Sequence, residues 1–136
     1  MPEAERFSVR VYYEDTDFSG NVYHAAYLKF FERARTEFLR DHGVHHSELA
    51  GQGVAFAVRS MHLEFEAAAH IDDLLTVLTE PVVATGARLS LRQSIWRGET
   101  RLVTAELVVV AINGAGRPTR LPAAVLTLGG KRSGAS

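Results

Sequence analysis

The stretch VYYEDTDFSGNVYHAAYLKFFERARTEFLR, residues 11–40, decides the fold, because it leads from a strand through an acidic turn into a helix. Its second half places apolar residues at helical spacing. These residues are Ala26, Tyr27, Phe30, Phe31, Ala34, Phe38 and Leu39. The pattern predicts one long amphipathic helix over about 22–40, with Ser19, Asn21 or both available to cap its start. Gly43 is a natural stop at its end.

The rest of the chain is typical of strands, which alternate apolar and polar residues. The predicted strands span residues 7–13, 54–67, 74–85, 88–97 and 101–112. Near Arg59 and Ser60 the apolar phase of the second strand reverses, which predicts a β-bulge. Pro81 indicates an edge position or an irregularity. One helix with about five antiparallel strands predicts an α+β domain of two layers.

The length of 136 residues fits a single domain, which we expect to span 1–128. The small, polar residues 129–136 predict a disordered tail. The strand at 101–112 is apolar on both faces, and such a strand is normally covered on both sides. One helix covers only one face of a sheet. We therefore expect a homo-oligomer, either a dimer or a tetramer.

Composition excludes several classes of protein. A net charge of -1 creates no field that would attract nucleic acid. The absence of cysteine excludes disulfides, a catalytic thiol and thiolate metal sites. No apolar run approaches the ~20 residues of a membrane span, and the acidic N-terminus lacks the apolar core of a signal peptide. We expect a cytoplasmic protein with no membrane span and no nucleic-acid partner.

Acidic side chains precede the predicted helix, and this arrangement suits acyl transfer. A helix N-terminus carries unpaired N–H groups and a partial positive charge, which can stabilise a carbonyl oxygen that gains negative charge. Asp17, just before the Gly20 turn, could then act as a nucleophile or as a general base. Its simpler role would be that of a solvated or capping loop acid. For Glu14 and Asp15, structural roles are favoured, because three close ionised acids repel one another.

The segment 11–40 resembles the entry of the hotdog-fold acyl-CoA thioesterases in the 4-hydroxybenzoyl-CoA thioesterase superfamily. The likeness continues through VAFAVRSM at 54–61 and AHIDD at 69–73. It is strongest to the branch associated with the bacterial Tol-Pal envelope system. The resemblance implies one long helix wrapped by a curved antiparallel sheet of about five strands. It also implies an active site at a subunit interface.

The resemblance assigns roles to particular residues. Asp17 occupies the catalytic Asp position, and His24 and Tyr13 belong to the active site. The backbone N–H groups of Tyr23 and His24 are the expected oxyanion donors. Gly20 would let the substrate approach the backbone closely.

Coenzyme A carries phosphates, so its binding requires Arg or Lys near the pocket. The candidates are Arg59, Arg88, Arg92 and Arg97. By the resemblance, Arg59 matches a family position before the phase reversal, and Arg88 lies near where relatives place phosphate-binding residues. For each of the four, the simpler role would be that of a solvated charge on a strand face. No phosphate-binding or dinucleotide motif is present, so we expect no cofactor. We also expect no metal, because Gly43 separates His42 from His45 and His46.

The leading hypothesis is hydrolysis of acyl-CoA to a carboxylic acid and coenzyme A. One alternative is a thioesterase that acts on acyl groups carried by acyl carrier protein. A non-catalytic acyl-CoA-binding protein associated with the envelope system is another. The residues do not indicate the length of the acyl chain, or whether it is aromatic.

Overall fold

The computed structural model describes residues 5–128. Five strands are present: β1 (Glu5–Arg10), β2 (Ala55–Phe65), β3 (Leu74–Thr85), β4 (Arg88–Arg97) and β5 (Thr100–Ile112). The helices are α1 (His24–Asp41), α2 (His46–Gly51) and a short last one at 123–128. A 3-10 turn spans Tyr13–Asp15. The tail predicted to be disordered, 129–136, lies outside these residues.

All five strands join one antiparallel sheet in the order β1-β3-β4-β5-β2. The predicted α+β architecture is therefore confirmed. Strands β1 and β2 form the two edges. The longer edge is β2, with 11 residues against six in β1.

Helix α1 lies against one face of this sheet. All seven residues of the predicted apolar stripe are buried. Phe30 and Phe31 are completely buried, in one core with Leu75, Leu89 and other strand residues. Packing of this amphipathic face, rather than intrinsic helix propensity, stabilises such a helix in water.

The two ends of α1 differ from each other. At its end, Gly43 (φ +81) donates to Arg40 O, and Val44 donates to Leu39 O, which is the Schellman arrangement. The predicted stop at Gly43 is confirmed. At its start the predicted capping is wrong: Tyr23 is the N-cap residue, and no side chain among residues 5–128 caps the helix. Ser19 instead donates to the side chain of Asp17.

The first strand is shorter than predicted, because the chain turns after Arg10. Val11 N–H donates to Asp73 O, and Tyr12 N–H donates to the carboxylate of Asp15. These bonds draw the backbone into the 3-10 turn that begins at Tyr13.

Two predicted irregularities are confirmed. The register between β2 and β5 shifts between Val58 and Ser60, so Arg59 forms a bulge. The register between β3 and β4 shifts between Pro81 and Val83.

Candidate active site

A tight turn places Asp17 immediately before α1. Gly20 N–H donates to Asp17 O at 3.0 Å, and Asp17 N–H donates to Asn21 O at 2.9 Å. Gly20 has φ +86, a conformation that side chains with a Cβ rarely adopt. An added Cβ there would meet no atom within 4 Å, so the constraint is conformational rather than a steric clash.

The same turn holds the carboxylate of Asp17 in its charged form. The Ser19 hydroxyl, followed by the Ser19 N–H at 2.9 Å, donates to Oδ1 and lowers the pKa of Asp17 below its usual value. The carboxylate is fully exposed, so it is ionised at neutral pH and accessible to a ligand. Ionisation is what a nucleophile or a general base requires.

The uncapped start of α1 supplies hydrogen-bond donors next to this carboxylate. His24 is the first helical residue, and an N–H at that position has no acceptor within the helix. Tyr23 N–H already donates to Asp15 O at 3.3 Å. Of the two donors expected from the sequence, His24 N–H is therefore the better placed for a ligand oxygen.

Asp17 and the helix start share one cleft of about 540 Å³. Its lining includes Asp17, Tyr23, His24, Tyr27, Phe65 and Glu66. The imidazole of His24 stacks on the ring of Phe65, with centroids 4.3 Å apart. Three of the residues predicted from sequence, Asp17, Tyr23 and His24, thus come together.

The cleft also contains residues that the sequence patterns did not single out for the site. Phe65 ends β2, 41 positions after His24, and only the fold brings their rings together. The hydroxyl of Tyr27 accepts a hydrogen bond from Ala69 N–H at 2.9 Å. Burial raises the pKa of Tyr27, so its phenol stays protonated. The i,i+3 spacing of His24 and Tyr27 was a signal that could have indicated their shared face.

Two of the arginines considered for phosphate binding are engaged in ion pairs. Arg97 donates to Asp73 at 2.9 Å and to Ala68 O at 3.1 Å, which fixes the loop beside the cleft. Arg92 lies within 3.3 Å of Glu80 and 3.7 Å of Glu106, on the sheet face turned away from α1.

The remaining predicted site residues lie away from the cleft of their own chain. Tyr13 is 81% exposed in the 3-10 turn rather than at the end of a strand. Arg59 is exposed at the bulge of β2, and Arg88 is exposed at the start of β4. None of the three lines the cleft around Asp17, and their roles stay predictions.

Within residues 5–128, no group of three or more metal-ligating side chains is placed to hold an ion. His42 caps the end of α1 while His46 begins α2, so they share no helix face, as expected. In the same part of the chain, no helix combines the length and the apolar character needed to cross a membrane.

Comparison with known proteins places this architecture in a family. Residues 19–104, more than half of the chain, match the family described as Thioesterase superfamily. This chain belongs to the thioesterase superfamily. The matched region contains the start of α1 and Phe65, and it begins just after Asp17.

Individual members of the family are similar over most of their length. The acyl-CoA thioester hydrolase YbgC of Escherichia coli O6:H1 is 44% identical over 123 residues, 89% of this chain and 92% of that protein. The acyl-CoA thioesterase YbgC of Haemophilus influenzae is 43% identical over 118 residues, covering 85% and 87%. The structure of a probable thioesterase from Bartonella henselae has a TM-score of 0.84 and 48% identity, covering 88% and 99%. The predicted hotdog fold is confirmed.

Proposed function

We propose that this protein is an acyl-CoA thioesterase that hydrolyses its substrate in the cleft between Asp17 and the start of α1. One observation carries the proposal: an ionised carboxylate and an uncapped helix N-terminus line the same cleft. A thioester carbonyl held between them would meet a base or nucleophile on one side and an N–H donor on the other. The activity named for the YbgC relatives supports this substrate class.

The proposed reaction consumes one water and breaks the bond between the acyl carbon and sulfur. As a general base, Asp17 takes a proton from the water that attacks the carbonyl, and that proton then neutralises the departing thiolate. As a nucleophile, Asp17 attacks directly and forms a mixed anhydride while the thiolate leaves. Water then hydrolyses the anhydride, which restores the Asp17 carboxylate and releases the proton that neutralises the thiolate. In both routes the carbonyl oxygen becomes negative, and His24 N–H donates to it.

The aromatic stack of His24 on Phe65 has a positioning role in this proposal. It fixes one wall of the cleft and keeps the imidazole beside the helix start. There the imidazole can orient water or contact the thioester sulfur. Tyr27, with its phenol protonated, provides a further polar group in the same wall.

A hydrolysis screen tests the proposed function. Acyl-CoA substrates of increasing chain length, together with an aromatic one, are incubated with the protein, and free thiol is measured. We expect turnover of at least one substrate and loss of turnover in Asp17→Asn. Acyl groups on acyl carrier protein form a second arm of the screen. Binding of acyl-CoA without turnover of any substrate would favour a non-catalytic binding protein and contradict the proposal.

We also propose that two copies pair through β2. This edge strand leaves Val58 48% exposed and Phe65 42% exposed, and an unpaired edge invites another strand. Identical strands related by a two-fold axis pair antiparallel. Light scattering should give about twice the 15.0 kDa of one chain, or a multiple of that value. A stable, fully active monomer would contradict the pairing.

Pairing through β2 would bring the predicted phosphate ligands closer to the cleft. Within one chain, Arg59 lies six positions from Phe65, roughly 20 Å along the strand. With the axis at Ser60, the middle of β2, Arg59 of the partner subunit lies opposite Met61, only four positions from Phe65. Arg88 pairs with Val110, next to Ala57, so it lies at the same end of the sheet. Both arginines would then contact coenzyme A bound to the other subunit.

The proposed substrate also implies a cellular location for the protein. Because coenzyme A thioesters are cytoplasmic metabolites, we place the protein in the cytoplasm and treat a Tol-Pal connection as genetic or regulatory. Cell fractionation tests the location. Recovery of the native protein chiefly from the periplasm would contradict it.

A further inference from the structure

A polar network lies inside the core at the far part of α1. Gln93 on β4 and Thr79 on β3 are each only 1% exposed. Gln93 Nε2 donates to Thr79 Oγ1 at 2.9 Å and to Phe31 O at 3.1 Å. Its Oε1 accepts a hydrogen bond from Arg35 Nη1 at 3.1 Å. The guanidinium of Arg35 is therefore held against the sheet by Gln93, which is an uncharged partner.

Arg35 is a cation without a carboxylate partner in the described part of the chain. No ion pair there includes it, and its side chain is only partly exposed. Burial lowers the pKa of Arg35, and the attraction of Glu32 opposes this shift. A guanidinium keeps its proton in proteins, so a partly desolvated positive charge remains. Such a charge is costly unless an anion pairs with it.

The guanidinium faces a second cleft, of about 390 Å³, between α1 and the β2 edge of the sheet. Its walls are largely apolar. They include Leu39, Phe56, Val58, Leu89, Leu91 and Val109. The exposed Glu32 and His46 lie in its lining as well. Because Glu32 is exposed, solvent weakens both its attraction for Arg35 and its repulsion of an anion in the cleft. An apolar space of this size with one fixed cation is typical of a small-molecule site.

The proposed pairing through β2 joins this cleft to the catalytic cleft of the other subunit. With the two-fold axis at Ser60, Ala55 lies opposite Phe65 of the partner subunit. Ala55 lines the Arg35 cleft, and Phe65 lines the catalytic cleft. The two spaces thus become neighbours across the interface, although about 16 Å of helix separates His24 from Arg35 within one chain.

We propose that the Arg35 cleft receives the acyl group of the partner subunit's substrate, and that Arg35 selects acyl groups that end in a carboxylate. This inference rests on the proposed function and on the pairing through β2. The apolar walls contact the methylene chain, and the guanidinium binds the terminal carboxylate. The planar guanidinium matches the geometry of a carboxylate and can bind it with two hydrogen bonds.

Matched substrate pairs test the selectivity with the unaltered protein. Glutaryl-CoA is compared with pentanoyl-CoA, adipoyl-CoA with hexanoyl-CoA, and suberoyl-CoA with octanoyl-CoA. Within each pair only the end of the chain differs. We expect kcat/KM to favour the carboxylate by about tenfold or more in at least one pair, as hydrogen bonds to a charged group imply.

The outcomes separate this inference from the proposed function. If the methyl-ended substrates are hydrolysed and no carboxylate-ended partner is favoured, Arg35 does not select the substrate. If no thioester in any pair is hydrolysed, the proposed function is wrong, and this inference fails with it.

A substitution then assigns the preference to Arg35. In Arg35→Met, we expect the ratio of the two kcat/KM values to fall about tenfold or more. Arg33→Met, which removes an exposed charge from the same helix, should leave the ratio unchanged. An equal decrease for both substrates in Arg35→Met would indicate a structural role and overturn the assignment.

Mixed dimers test whether Arg35 acts across the interface. One subunit carries Asp17→Asn and the other carries Arg35→Met. If Arg35 serves the partner's cleft, one site keeps both intact residues, and the mixed dimer hydrolyses the preferred carboxylate-ended substrate with the wild-type preference. If Arg35 serves its own cleft, no site is intact, and the preference is absent.

Discussion

The start of α1 and the polar network around Arg35 differ in how their residues are brought together. At the start of the helix, Asp17, Gly20 and His24 come from one short stretch, and Asp17 and His24, which line the cleft, are exposed. Farther along, the half-buried Arg35 donates to Gln93, which in turn donates to Thr79 on another strand, and Gln93 and Thr79 are both buried. The reactive groups are thus arranged by local backbone geometry, whereas the Arg35 network depends on the packing of the sheet.

This difference has a consequence for mutations. Changes at the start of α1 should alter catalysis while the core remains folded. Changes in the buried network should alter stability first, because each buried polar group there depends on its partner.

The largest expected effect is on turnover at the exposed end. Asp17→Asn removes the negative charge with little change in shape, so kcat should fall by at least ~10²-fold with KM little changed. Steady-state release of free thiol measures this. Glu14→Gln, an exposed acid of the same loop, is the matched control and should retain activity. An Asp17→Asn enzyme within about threefold of wild type would exclude Asp17 as the catalytic carboxylate.

The next largest effect is expected from Gly20→Val, which alters the turn that positions Asp17. Gly20→Val places a β-branched residue at φ +86, which should shift the first turn of α1 away from its geometry. Loss of one oxyanion donor costs ~10²–10³ in kcat, so a partial displacement should reduce kcat about tenfold or more. Far-UV circular dichroism should remain close to that of wild type.

Gly116 provides a matched control for backbone strain. It has φ +78 and lies in the turn after β5, and it lines neither the cleft around Asp17 nor the Arg35 cleft. Gly116→Val should introduce similar strain but leave the His24 N–H in place, so kcat should stay within about twofold of wild type. Equal losses of kcat in both variants would mean that Gly20 has no specific role in the site.

At the buried end, Gln93→Leu should lower the free energy of unfolding. The leucine leaves the buried Thr79 hydroxyl without its donor and the half-buried Arg35 without its acceptor, while Phe31 O keeps its bond within the helix. An unsatisfied buried group costs about 1–3 kcal/mol. Chemical denaturation measures the change. Gln52→Leu, at an exposed position, is the control. Unchanged stability in Gln93→Leu would show that the network contributes little.

The sequence predicted the helix and most of the strands, because each has a strong local pattern. The apolar stripe of α1, the stop at Gly43 and the phase reversal at Arg59 depend on neighbouring residues alone. Capping was predicted wrongly, because α1 begins at His24 and its N-cap position falls on Tyr23, while the Ser19 hydroxyl donates to the side chain of Asp17. A pattern of residue types cannot decide whether such a hydroxyl accepts from a helix N–H or donates to a neighbouring carboxylate.

The site could be predicted only where it is contiguous in sequence. Phe65 and Gln93 reach α1 through strand order, and no local pattern predicts the order β1-β3-β4-β5-β2. Gln93 did carry a signal, because it occupies the buried phase of β4 among Leu89, Leu91 and Ile95. A polar residue in that phase indicates a buried partner without identifying it.

The smallest expected effect is a shift in pH dependence. The lowered pKa of Asp17 keeps it charged at neutral pH, so activity should be lost only as acidic pH protonates it. Ser19→Ala removes the hydroxyl that contributes most to this lowering, so the pKa should rise and the acidic limb of kcat/KM should move to higher pH. If the acidic limb of kcat/KM stays at the same pH in Ser19→Ala, a group other than Asp17 controls the loss of activity in acid. Thr127→Ala, remote from the cleft, should leave the limb in place.

The most direct test of the account is a crystal structure with a hydrolysis-resistant substrate analogue. In this ketone, a methylene group replaces the thioester sulfur of an acyl-CoA. We predict that its carbonyl oxygen lies about 2.7–3.1 Å from the backbone nitrogen of His24, with the Asp17 carboxylate facing the carbonyl carbon. An analogue bound with its carbonyl away from both groups would contradict the assignment of this cleft as the catalytic site.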